Sequence, residues 1–203
     1  MILFFHINYQ ECMKPKFSVF LLSAVVFGGC VDIPDFSDTP KIYYNGLSQF
    51  TEIDTLDAGT PSQSVQRTEI AVLSIRFEDG DGDLGVSTQD LQNPEVAAGY
   101  KKVAGWGLAG NYEVVTMTKR PNGTWDERII AGDSTQMFPV LKTDGKPGPI
   151  KGTLDMYIRH PVSNSQVMAT RRYKVRIIDR AYRMSNQEEV PEIDAVTVPI
   201  LRE

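Results

Sequence analysis

Residues 69–77 read EIAVLSIRF. Ala71, Leu73, Ile75 and Phe77 fall on one side of an extended chain, with Ser74 and Arg76 on the other. This period of two marks a strand with one face in a core and one in water. The scheme returns at 153–159, with Leu154, Met156 and Ile158 inward, and at 172–178, with Tyr173, Val175 and Ile177 on one face. Residues 112–119 (YEVVTMTK) and 124–130 (TWDERII) flank Pro121-Asn122-Gly123, and Asn-Gly suits the left-handed backbone of a tight hairpin. Residues 41–44 read as a first edge strand and 193–200 as a last one. The Ser-, Thr-, Gln- and Asp-rich stretch 48–68 reads as a long connection, and 142–148 (KTDGKPG) as a turn cluster. Only residues 91–103 could form a short helix. About seven short strands separated by turns predict an all-β, single antiparallel sandwich over residues 40–203. A barrel is compatible with the same pattern.

The strand at 69–77 runs into Asp79-Gly80-Asp81-Gly82-Asp83-Leu84-Gly85, with Glu78 in front. Three aspartates at alternate positions, separated by glycines that permit sharp bends, can fold round one point. Without a cation their charges repel and raise one another's pKa. Calcium, which accepts 6 to 8 oxygens in loose geometry, relieves that conflict, whereas magnesium demands a stricter octahedron. The run resembles the D-x-D-x-D loops of EF-hands and of calcium-binding β domains. With Asp79 as first ligand, Asp81 and Asp83 take the third and fifth places and Asp90 the twelfth. Leu84 stands where the helical version has glycine, so a loop at a strand end fits better than an EF-hand. The alternative is a solvated acidic turn.

A second motif closes the strand at 172–178. Asp179-Arg180-Ala181 runs into Tyr182-Arg183, and resembles the D-x-A-G-N strand end of bacterial immunoglobulin-like domains. A strand ending in DGDGDLG and a later one ending in DRA together resemble uncharacterised cell-envelope lipoproteins of the Bacteroidota type. That resemblance implies an immunoglobulin-like β-sandwich and brings no activity with it. If both strands run the same way, Asp179 joins Asp79 at one end, where it could complete an ion's shell or pair with Arg180.

The N-terminus points to export. Lys14 and Lys16 precede a 13-residue apolar run at 17–29 (FSVFLLSAVVFGG), which ends at Cys30. A spanning helix needs about 20 residues. A basic start, a short apolar stretch and small residues before a cut describe a signal peptide. The Gly28-Gly29-Cys30 ending resembles the lipobox of bacterial lipoproteins, with Phe27 where that family usually has leucine. The resemblance implies cleavage after residue 29 and a lipid on Cys30. Residues 30–39 would then be a tether, VDIPDFSDT following the cysteine, and Met13 is the more natural start. Val31 carries no aspartate-type inner-membrane retention signal, so the expected place is the outer membrane, on its periplasmic or outer face.

Composition narrows the function. The formal charge is −5. Residues 1–30 hold Lys14, Lys16 and Glu11, a net of +1, so residues 31–203 carry −6. This excess of acid excludes a nucleic-acid partner, which needs clustered Lys and Arg. The two cysteines are Cys12 and Cys30, so the domain has no disulfide framework, thiolate zinc site or cysteine nucleophile. His160 is its only histidine. Gly105, Gly107 and Gly110 match G-x-G-x-x-G, but no alternating strand leads directly in and a β-like run follows, so the match reads as a loop. No catalytic residue stands out. The expectation is a non-catalytic, membrane-anchored module with a calcium-stabilised loop and a protein or glycan partner. Trp106, Trp125, Tyr100 and Tyr112 are candidates for a sugar-stacking platform in a carbohydrate-binding accessory lipoprotein.

Overall fold

The computed structural model describes residues 34–104, 110–129, 137–162 and 167–200. Their strands are β1 (Lys41–Leu56), β2 (Ser64–Asp79), β3 (Tyr112–Lys119), β4 (Trp125–Arg128), β5 (Ile150–Val162), β6 (Met168–Ile177), β7 (Glu188–Glu189) and β8 (Val196–Pro199). All pair antiparallel. One sheet has the order β1-β2-β5. In the other, β4-β3-β6 is extended along the far edge of β6 by β7 and β8. With the first sheet read as A-B-E and the second as C′-C-F-G, this is the strand order of an immunoglobulin-type sandwich. It is not a barrel.

The alternation seen in the sequence decides the packing. Ala71, Leu73, Ile75 and Phe77 of β2 join Leu154, Met156 and Ile158 of β5. They meet Tyr112 and Val114 of β3 and Tyr173, Val175 and Ile177 of β6. None of these is more than 6% exposed. Removing each large apolar side chain from water contributes about 1.5–3 kcal/mol, so this facing pair of sheets holds the fold together.

Two expectations are corrected. Residues 48–68 are not a long connection. β1 and β2 stay in register from Lys41↔Glu78 to Leu56↔Ser64, with a bulge between Tyr44 and Gly46. β5 accompanies β2 only as far as Arg67↔Val162. Beyond that pair the hairpin stands out as a two-stranded ribbon. Its residues need no apolar face, so alternation vanishes while Thr and Val keep the chain extended. The single short helix becomes two, α1 (Thr88–Leu91) and α2 (Pro94–Ala104). Pro94 starts the second because the first helical position needs no N–H donor.

Candidate metal centre

β2 and β6 leave the sandwich at the same end, in facing sheets. The chain after β2 is the DGDGDLG loop, and the chain after β6 carries Asp179. Backbone contacts join the two: Arg180 N–H and its Nε both donate to the Asp83 carbonyl, at 3.3 and 2.9 Å. Ala181 N–H donates to Asp83 Oδ2 at 3.1 Å. The loop is held from its other side by Gly148 N–H, which donates to the Asp81 carbonyl at 3.0 Å. Leu84 is fully buried in the core, and its carbonyl accepts from Leu141 N–H at 3.1 Å. Gly82 and Gly85 have φ of +72° and +92°, a left-handed backbone that a side chain would strain.

Asp79, Asp83 and Asp179 each offer a carboxylate oxygen, and these oxygens lie within 4.8 Å of one another. Oxygens on opposite sides of one calcium are about 4.6–5.2 Å apart, twice the usual bond length, so one ion can touch all three. Asp79 and Asp179 are 0% exposed. Asp79 Oδ2 accepts from Asp83 N–H at 3.0 Å. Its Oδ1 is buried with no hydrogen-bond partner among the described residues, as are Oδ1 of Asp81 and Oδ1 of Asp83. Three orphaned carboxylate oxygens in one bend are a costly arrangement for a metal-free protein, because each keeps its desolvation penalty.

The residue that sequence reading missed is Arg183. Its N–H and Nε donate to Asp179 Oδ1 and Oδ2, both at 2.7 Å. Its Nη2 donates to Asp81 Oδ2 and approaches Asp83 Oδ2 at 3.4 Å. Asp179 therefore pairs with Arg183, not Arg180. The signal was present as a cation four residues after the motif's aspartate. The turn that aims it depends on Tyr182, at φ +62°, the position where the D-x-A-G-N pattern has glycine. Tyr182 is fixed by edge-on packing against Tyr100 of α2, ring centres 5.2 Å apart.

One guanidinium does not balance four carboxylates. Burial, together with the Asp81 and Asp83 charges, pushes the Asp79 carboxyl up from 3.8 to about 7. Burial and the charges of Asp179 and Asp81 push Asp83 up to about 6. Asp179 is also raised by burial, although its bonds to Arg183 oppose the rise. Near neutral pH the Asp79 and Asp83 carboxyls are therefore close to the balance between their protonated and charged forms.

The other expected site residues lie apart. Asp90 is exposed and caps α1. Its Oδ2 accepts from Ser87 Oγ at 2.6 Å, and its N–H donates back to Ser87 Oγ at 3.0 Å. Cys30 and Trp106 lie outside the described residues. Tyr100 and Tyr112 are in the cores, so neither can stack on a sugar. Trp125 lies beneath Arg172, whose guanidinium is 4.5 Å from the ring centre. The Tyr100 hydroxyl is buried and unpartnered, and burial, Tyr182 and the nearby Asp179 and Asp83 charges suppress its ionisation.

No protein-family model, curated protein or solved structure matches this chain. The chemistry of the site is therefore read from its own residues.

Proposed function

We propose that this protein is a non-catalytic, lipid-anchored module of the cell envelope whose loop end is stabilised by calcium. The observation that carries the reading is the set of orphaned oxygens. Asp79, Asp81 and Asp83 each bury an Oδ1 without a partner, and Asp79 and Asp83 share one 4.8 Å neighbourhood with Asp179. Hard carboxylate oxygens suit calcium, which tolerates the irregular spacing that magnesium does not. Arg183 and calcium would divide the work. The guanidinium neutralises the side of the cluster formed by Asp179 and Asp81, and the ion takes the side formed by Asp79 and Asp83. Ordering this loop end gives the sandwich a rigid face for a partner. The anchor rests on the lipobox at Cys30. Among the described residues no helix is long and apolar enough to cross a membrane.

Calorimetric titration of the full chain in detergent, stripped with chelator, tests the ion. Calcium is expected to bind with one-site stoichiometry and magnesium far more weakly. An absence of calcium heat at pH 8, with no change in melting temperature, would remove the ion from the account.

A further inference from the structure

The acidic loop also touches the segment that leads towards the N-terminus. Gly80 N–H donates to the Ser37 carbonyl at 2.9 Å. A methyl group on Gly80 would collide with the Phe36 carbonyl and lie 2.9 Å from Asp38 Oδ1. Asp38 Oδ2 stands 3.7 Å from Arg183 Nη1. The same guanidinium that binds Asp81, Asp83 and Asp179 thus reaches the tether, and the bend that carries the ligands holds the tether's backbone.

We infer that the acidic loop is the dock of the N-terminal tether, so that a divalent cation held by Asp79, Asp83 and Asp179 locks residues 36–38 against the domain. This rests on the calcium reading above. Without the cation, the repelling carboxylates loosen the bend between Asp79 and Asp83, and Gly80 sits inside that bend. With it, Gly80 and Arg183 are fixed and the tether is clamped. The lipobox adds a geometric consequence. Ser37 lies seven residues after Cys30, a reach of at most about 25 Å for extended chain. The ion end of the sandwich would then face the membrane, and the β1–β2 ribbon at the opposite end would point away from it. Calcium would switch the domain between a swinging and a fixed stance on its anchor.

Hydrogen exchange of the full chain in detergent, with calcium or with chelator, separates the two ideas. One peptide covers residues 34–40 and another covers 78–86. Calcium is expected to slow exchange in both, by about tenfold in the tether, the scale of a modest coupling between sites. Slowing in 78–86 alone would overturn the coupling and leave the ion site standing. Slowing in neither, with no calcium-dependent melting shift, would overturn both. Gly80→Ala leaves every carboxylate in place but blocks the Phe36 carbonyl, so calcium should still protect 78–86 and no longer protect 34–40. Asp38→Lys puts a like charge beside Arg183 and should give the same split if Gly80→Ala fails to fold. Tether protection that survives both substitutions would refute the clamp.

Discussion

Replacing Asp79 by asparagine should raise stability without calcium and lose most of that advantage over the parent when calcium is present. The amide keeps the size of the carboxylate, and its oxygen can still accept from Asp83 N–H, as Asp79 Oδ2 does at 3.0 Å. What changes is the charge. Burial and two neighbouring aspartates raise Asp79 from 3.8 to about 7. A carboxyl whose folded pKa lies above its unfolded value holds its proton more tightly when folded. The stability this gives is fully present below about pH 4 and is lost as the pH climbs through the folded value. A rise of about 3 in pKa, at about 1.4 kcal/mol each, sets a ceiling of about 4 kcal/mol on the penalty at pH 8. Asp83 shares that repulsion, so about 2–4 kcal/mol is the expected relief.

Asp79→Asn in chelator at pH 8 should therefore melt about 5–10 °C above the parent, at about 2–4 °C per kcal/mol for a chain of this size. Calcium at 100 times its dissociation constant should stabilise the parent by about 2.7 kcal/mol, a similar rise, and the variant by much less. The assay is thermal unfolding of the full chain, followed by circular dichroism, for both proteins in both buffers. The parent should also lose stability in chelator as the pH is raised from 4 to 8, and calcium should flatten that slope. A variant that melts below the parent in chelator, or gains as much from calcium as the parent does, would refute the electrostatic reasoning.

Arg183→Met removes the only cation among the described residues that contacts Asp179, which is fully buried. Breaking a buried pair costs about 3–5 kcal/mol, and the low end applies because Arg183 is partly exposed. Urea unfolding in chelator should show this loss, and calcium should restore more stability in the variant than it adds to the parent. His160 is buried, its ring bonded to Tyr173 Oη at 2.8 Å and Arg171 Nη1 at 2.9 Å. Burial and the Arg171 charge push its pKa down to about 4, so its own contribution to stability falls as the pH drops from about 6.5 towards 4 and partly offsets the opposite slope set by the aspartates. His160→Gln removes that offset and should steepen the loss of stability as the pH rises from about 4 to 6.5 in chelator, measured by melting temperature against pH. An unchanged slope would show that His160 does not titrate in this range.

How much of this was legible depends on what each residue faces. Residues 69–77, 153–159 and 172–178 showed their alternation because one face of each meets the opposing sheet. The stretch 48–56 concealed its strand because it forms a sheet edge whose residues are exposed apart from the half-buried Glu52, and its last three residues belong to the ribbon beyond Arg67↔Val162, so neither face calls for an apolar row. Asp79 and Asp83 could be picked out from spacing alone. Asp90 could be counted only by extending the helical calcium-loop pattern, and here Ser87 starts a helix and takes that carboxylate as its cap. Asp179 joined the set on a condition about strand direction that the topology meets. Arg183 and the tether were hidden for a different reason. Arg183 reaches the cluster through the left-handed backbone at Tyr182, which packs on Tyr100 some eighty positions earlier. No local pattern encodes a contact of that kind.

The cluster follows from the fold as much as from the motif. In an immunoglobulin-type sandwich the second and sixth strands end side by side, so aspartates placed at both ends are brought together whether or not their charges agree. A purely structural turn would exchange some of these carboxylates for amides or hydroxyls, which make the same turn bonds without repulsion. This chain keeps four and supplies one arginine. That arginine bonds once to each oxygen of Asp179 and engages Asp81, yet leaves three Oδ1 atoms without a donor among the described residues. The mismatch is local: among the described residues Asp79 is bonded only to a backbone N–H of its own loop and has no cation against it. A fixed guanidinium on one side and a vacatable charge on the other make a site whose rigidity depends on the medium. Under the function proposed above, a domain tethered at the cell envelope would use that dependence, because extracellular calcium sites work at far higher calcium levels than cytosolic ones.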